Sequence, residues 1–155
     1  LDRMVNHNFS ELSSFLVTNP GLNNGFMLPQ YTAVGLMGEI KIFSHPSTID
    51  SIPTCANQED TVSMAYFASK KAMAVGEKVE HILAIELMVA AQALEFHRPM
   101  KSSPVVQALH DRVRQDVPRL DNDRYIYKDM VLLKELVHHG DIVSIAEKMV
   151  GELEF

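Results

Sequence analysis

One cysteine, Cys55, is the whole thiol content of the 155-residue chain. That excludes an internal disulfide and any cysteine-rich zinc site. The lone thiol fits a reducing compartment, and a cytoplasmic location is the expectation. Positive charge is also short. Fourteen Lys and Arg stand against 20 Asp and Glu, a net charge of −6. A nucleic-acid partner requires a basic face, and no Lys/Arg stripe with interleaved aromatics is present. Long apolar runs are missing as well. The longest, Ile82 to Leu94, is interrupted by Glu86 and Gln92, too short and too polar for a membrane span. There is no strand-like alternation, no repeat, no phosphate loop and no dinucleotide fingerprint. The seven histidines form no ligand set, so no metal is expected. His138 and His139 are neighbours and do not share a helix face. No Ser/His/Asp or Cys/His grouping can be drawn from the spacing, and nothing basic adjoins Cys55 to hold it as a thiolate. The opening Leu1-Asp2-Arg3-Met4 has neither a basic start nor an apolar signal core, and the expectation is a piece of a longer chain.

What remains is a soluble, helix-patterned chain. Its length suits one domain, so residues 1–155 are expected to form a single helical segment. A short helix is predicted over the first residues. Turn signals follow at Asn19-Pro20-Gly21 and Asn23-Asn24-Gly25. A second helix is predicted from about Leu28 to Ser44, with Tyr31, Val34, Met37 and Ile40 on a broad apolar face. Gly35 and Gly38 weaken it by roughly 1 kcal/mol each relative to Ala, and close approach of another backbone is the expected compensation. His45-Pro46 ends it, because the residue before proline avoids the α region.

From Val62 to about Phe96 the pattern is helical almost throughout. Val75, Val79, Ile82, Val89 and Ala93 lie near one stripe, and Leu83, Leu87, Ala90 and Leu94 form an adjoining one. A helix apolar around most of its circumference is buried on most sides. If continuous, it spans on the order of 50 Å, more than one small domain covers. Either it breaks near Gly76-Glu77 or it packs in a bundle with other subunits or with parts of a longer chain outside these residues; the bundle is favoured. Glu86, inside Leu83–Val89, requires a partner or a water-filled cavity, with an ordinary ion pair as the simplest account. Ser103-Pro104 reads as an N-cap followed by proline at the first helical position, opening a helix to about Asp116. The charged loop Asp121-Asn122-Asp123-Arg124 follows, then a helix over about Lys128 to His139. Gly140 is its C′ residue, and Asp141 is expected to cap a last helix through Val150.

One stretch concentrates polar groups: Thr54-Cys55-Ala56-Asn57-Gln58-Glu59-Asp60-Thr61-Val62-Ser63-Met64, after Pro53. A helix N-terminus offers free N–H groups and a positive partial charge, which favour a nearby carboxylate. An ordinary helix cap satisfies that description, and so does a site. Glu59 and Asp60 are sequential and cannot act as a facing pair. One of them would face a substrate and the other serve the scaffold, with Asn57 or Gln58 orienting the active carboxylate.

Asn57-Gln58-Glu59-Asp60-x-Val62-Ser63-Met64 resembles the signature of bacterial-type histidine ammonia-lyases and the related aromatic amino acid lyases and aminomutases. Further blocks match in order: Gly21–Met27, Glu39 and Lys41, His45-Pro46, Ser51–Thr54, Leu83–Glu86, Ser103-Pro104 and Asp121–Arg124. The resemblance covers nearly the whole chain and corresponds to the C-terminal part of that family's polypeptide. It implies an all-α fold built on a bundle of long helices, in homotetramers whose active sites draw residues from more than one subunit. It implies a lyase that removes ammonia from a small-molecule aromatic amino acid, histidine to urocanate in the first instance. The family's electrophile is a methylidene-imidazolone formed from an internal Ala-Ser-Gly. This sequence has no such string, the nearest being Ala68-Ser69-Lys70, so the cofactor segment is expected upstream and the isolated piece is expected to be inactive. By the same resemblance Glu59 is the catalytic carboxylate, Asn57 and Gln58 support it, and Asp60 caps or anchors the following helix. Glutamate at 59 favours the histidine-lyase side. Thr61 departs from it, because the histidine-lyase form usually carries histidine there. A tyrosine or phenylalanine lyase or aminomutase is the alternative within the chemistry, and a non-catalytic helical assembly module the alternative outside it.

Overall fold

The computed structural model describes residues 1–49 and 51–154. It is all-α. Among the described residues seven α-helices run in order: α1 (Asp2–Val5), α2 (His7–Ser10), α3 (Met27–Phe43), α4 (Ala65–Glu95), α5 (Pro104–Asp116), α6 (Tyr127–His138) and α7 (Asp141–Val150), with short 3-10 turns at Ser14–Leu16 and Cys55–Asn57. No strand occurs among the described residues. The chain divides into two compact units, Leu1–Ala33 with Glu80–Phe155, and Val34–Val79.

Local chemistry accounts for the helix ends. At the end of α3, Ser44 Oγ donates to Lys41 O at 2.6 Å, and Pro46 follows. The Ser103 hydroxyl accepts from Val106 N at 3.4 Å and Pro104 takes the first helical position of α5; the proline has no N–H to leave unpaired. Gly140 has φ +73° and stands between α6 and α7, the conformation that ends α6 without a Cβ clash. Asp141 does not cap α7. It is the first helical residue, Gly140 occupies the cap position, and no side-chain cap bond forms. The tight αL turn leaves no non-helical residue after Gly140 to serve as a cap.

The larger unit holds the core. Val5, Leu16, Phe26, Ala84, Ile85, Met88, Val89, Val113, Val117, Leu120, Leu133 and Leu136 are buried in one cluster. α7 packs on α5 and α6. The second half of α4 supplies the central face, at Ala84, Ile85, Met88, Val89, Ala91 and Ala93. Burying an aliphatic side chain of this size contributes about 1.5–3 kcal/mol. Gln92 sits in the middle of that face, wholly buried. Its Nε2 donates to Leu16 O at 3.0 Å and Leu120 O at 2.8 Å. Its Oε1 accepts from Leu120 N at 3.1 Å and Arg114 Nη2 at 3.3 Å. Two donors and two lone pairs are the full capacity of a glutamine amide. The residue that interrupts the apolar run therefore fastens two irregular segments to α4.

α4 itself is unbroken through Gly76. At 1.5 Å per residue its 31 residues rise about 46 Å, so the continuous alternative holds. Within the smaller unit, none of the described residues is buried. Lys78 pairs with Glu39 and lies 5.6 Å from the Phe43 ring centroid, and the Lys71 ammonium donates to His45 O. Those contacts tie the end of α3 to the start of α4. No backbone approaches Gly35 or Gly38: a Cβ at either position meets open space. The expected compensation for these glycines is thus not found among the described residues.

Candidate active site

The polar stretch forms a closed turn, not a helix start. Thr54 is extended (φ −127°, ψ 178°). Cys55, Ala56 and Asn57 then take φ of +53°, +54° and +68°. Asparagine visits this region readily, but a residue with an ordinary Cβ is strained there by about 1 kcal/mol or more. Gln58 returns to the right-handed region, and its N–H reaches Cys55 O at 3.2 Å. The turn closes by two backbone bonds between the same two residues: Thr54 N donates to Glu59 O at 2.8 Å and Glu59 N donates to Thr54 O at 3.3 Å. A second closure lies outside the first. Val62 N donates to Ser51 Oγ at 2.7 Å, and the same hydroxyl donates to Val62 O at 3.1 Å.

α4 begins only at Ala65, where Ser63 Oγ accepts from Ala65 N at 3.3 Å. Asp60 is five residues short of that start and does not cap it. The reason is the run of left-handed residues and the Thr54–Glu59 pair, which commit this backbone to a turn before the helix opens. The side chains of Asn57, Gln58, Glu59 and Asp60 are all exposed. Among the described residues neither Glu59 nor Asp60 is in an ion pair, and no hydrogen bond joins Asn57 or Gln58 to the Glu59 carboxylate. The cavity of about 270 Å³ in the same unit is lined by Phe43, His45, Pro46, Lys71 and Val75 among others, and Glu59 is not on it. The turn therefore offers a hydrogen-bonded backbone and, among the described residues, a Glu59 carboxylate outside any ion pair on an open surface. A carboxylate so placed can accept a proton or pair with a cationic substrate group.

The other titratable candidates resolve differently. Glu86 is half exposed, so solvent removes the burial penalty expected from its apolar neighbours. It borders a shallow apolar cavity of about 360 Å³ with Leu83, Leu87, Ala90, Val137 and Ile142. His138 Nδ1 lies 2.9 Å from Glu80 Oε1. His97 stands just past the end of α4, its N–H on Leu94 O at 3.2 Å. Among the described residues no group of three or more His, Cys, Asp or Glu is placed to hold a metal ion, and no helix is long and apolar enough to cross a membrane.

Two arrangements in the larger unit were not drawn from the sequence. Asp123 grips the Asn24-Gly25 turn. Its Oδ2 accepts from Asn24 N at 2.8 Å and Asn24 Nδ2 at 3.0 Å, and its Oδ1 accepts from Gly25 N at 2.9 Å. Asn23 Oδ1 accepts in return from Asp123 N at 3.0 Å. The bonds from Asn24 and Gly25 hold the Asp123 carboxyl below its ordinary range. Gly25 has φ +54°, and a Cβ there would lie 2.5 Å from Phe15 O, so only glycine fits. The second arrangement centres on Glu95. Its Oε1 meets His110 Nε2 at 2.8 Å and Arg114 Nε at 3.0 Å. Burial raises the Glu95 pKa, but the bonds from Arg114 and His110 outweigh it and the net shift is downward. Partners 99 residues apart leave no trace in local periodicity. The available signal was two separate polar blocks, Asn23-Asn24-Gly25 and Asp121–Arg124, each of which read as a loop.

The family model for aromatic amino acid lyase matches residues 1–115. The histidine ammonia-lyase of Symbiobacterium thermophilum is 45% identical over 154 residues, covering 99% of this chain and 30% of that protein. The crystal structure of histidine ammonia-lyase from Trypanosoma cruzi is similar with a TM-score of 0.92 at 39% identity, over 95% of this chain and 29% of the other. A tyrosine aminomutase from Streptomyces globisporus gives a TM-score of 0.90 at 31% identity, over 99% of this chain and 29% of the other. The chain spans about 30% of the length of the curated relatives it matches.

Proposed function

The chain belongs to the aromatic amino acid lyase family, and on that premise we propose that it is the Glu59-bearing segment of an ammonia-lyase that converts histidine to urocanate. The observation that carries this reading is the doubly closed turn at residues 51–62. It presents Glu59, exposed and in no ion pair among the described residues, inside the signature block of a chain similar, almost end to end, to histidine ammonia-lyases.

Elimination breaks the C–N bond, removes a hydrogen from the β-carbon and leaves a double bond between the α- and β-carbons. The family's methylidene-imidazolone supplies the electrophilic activation. This sequence lacks the Ala-Ser-Gly that forms it, so no residue of this chain makes that group, and it is assigned to another part of the full-length protein. Glu59 is assigned to substrate contact or proton handling, which contributes typically 10²–10⁴-fold when a positioned carboxylate acts as acid or base. Asn57 and Gln58 are assigned to support it. Asp60 is assigned to the scaffold of the turn.

The open setting of Glu59 fits a site completed by other segments or subunits. So do the exposed apolar side chains of residues 34–79, among them Ile42, Phe67 and Met73, since patches of this kind mark interaction surfaces. A cytoplasmic homotetramer is the assembly proposed. A second reading, a tyrosine or phenylalanine lyase or aminomutase, draws on Thr61 and on the likeness to the tyrosine aminomutase.

The test is substrate turnover by the full-length protein. Growth of urocanate absorbance on adding histidine is the expected result. No turnover of histidine, with turnover of tyrosine or phenylalanine, moves the assignment to the second reading.

A further inference from the structure

We propose that Ser51 is a positioning residue for the reaction, acting through Glu59; the proposal rests on the catalytic reading of Glu59 given above.

The stretch between Ser51 and Val62 carries three consecutive residues at positive φ, Cys55, Ala56 and Asn57, two of which have no intrinsic tolerance for that region. Such a backbone persists only where its surroundings over-determine it. Among the described residues two closures contribute. The inner one, between Thr54 and Glu59, is made of main-chain groups, and its Glu59 N–H to Thr54 O bond is the longer at 3.3 Å. The outer one depends on a single side chain. The Ser51 hydroxyl both accepts from Val62 N and donates to Val62 O, doing for residue 62 what an opposed strand residue would do with its backbone. A serine hydroxyl has one donor and two lone pairs, so alanine at 51 removes both bonds at once and leaves a half-buried Val62 amide without the partner described. The inner pair then holds the strained residues without its outer support, and Glu59, which is itself one of the inner pair, moves with them. Displacement of a catalytic group by about 1 Å lowers turnover by as much as about 100-fold. Ser51 and the turn it closes both lie in the smaller unit, so the effect falls on the turn.

The experiment is a double-mutant cycle in the full-length protein, with histidine turnover, melting temperature and sedimentation measured for Ser51→Ala, Glu59→Gln and the pair. Ser51→Ala is expected to lower kcat by about 10- to 100-fold with assembly unchanged. In the Glu59→Gln background the same change is expected to have no further effect, because the group it positions is already gone. Ser51→Thr, which keeps the hydroxyl, is expected to restore most of the rate. If Ser51→Ala fails to assemble, Ser51→Cys carries the test: it keeps the size, bonds weakly and is expected to lose rate while remaining assembled. Wild-type turnover in Ser51→Ala or Ser51→Cys overturns the proposal, as does a loss that multiplies with that of Glu59→Gln. Full activity in Glu59→Gln removes the Glu59 reading and this proposal with it. An impaired Glu59→Gln beside an unimpaired Ser51→Ala removes this proposal alone.

Discussion

Asp123 accepts three hydrogen bonds from the Asn24-Gly25 turn, and its carboxyl is held below the ordinary value of 3.8 as a result. A folded-state pKa below the unfolded one contributes stability that is complete above the unfolded value and is lost as pH falls through the folded value. Asp123→Ala is therefore expected to lower stability at neutral pH. The gap between wild type and variant is expected to close as the pH falls below about 3.8; denaturant melts across that range check it, and a gap that stays constant would assign the effect to packing. At this scale the sequence was an uneven guide. It marked Ser103, Pro104 and Gly140 because caps depend on residues close in the chain. It offered Asp60 as a cap or anchor of the following helix and Asp141 as a cap, and neither residue caps a helix. Both errors have one cause: cap positions are set by the φ of one or two neighbouring residues, here the left-handed residues 55–57 and Gly140, and side-chain type alone does not report φ.

α4 was legible as an element and misread in one detail. Its length and its apolar face follow from periodicity, and its continuity through Gly76 agrees with the modest penalty of one glycine in a long helix. In the sequence the polar interruption at Gln92 reads only as a limit on the apolar run. In the structure it is the point at which α4 holds Leu16 and Leu120, with all four amide positions used. Gln92→Leu, nearly equal in volume, is expected to destabilise the protein by roughly 3 kcal/mol, since it strands buried backbone groups that each carry a desolvation penalty. Equilibrium unfolding measures this directly. A loss under about 0.5 kcal/mol, the range of inert surface changes, would show that water replaces the amide.

For the molecule as a whole, the division of labour between the units explains what a sequence could reveal. The core of the larger unit is built from i, i+3 and i+4 patterns, which is why α4, α5 and α6 were placed within a few residues. Residues 34–79 have no buried member among those described, and large apolar side chains such as Ile42, Phe67 and Met73 stand exposed; the buried setting that the apolar pattern predicts for the first part of α4 is not found among them. The same holds for Gly35 and Gly38, whose open sides give periodicity nothing to explain. Ala-Ser-Gly is likewise absent, so the proposed chemistry is tested in the full-length protein. There the central claim is that Glu59 does chemical work on a substrate while its turn belongs to the scaffold. Histidine turnover by full-length Glu59→Gln is the measurement that bears on it most directly. The account predicts a fall in kcat of about 10²-fold or more with melting temperature and assembly unchanged, and a variant that turns over histidine at the wild-type rate would contradict it.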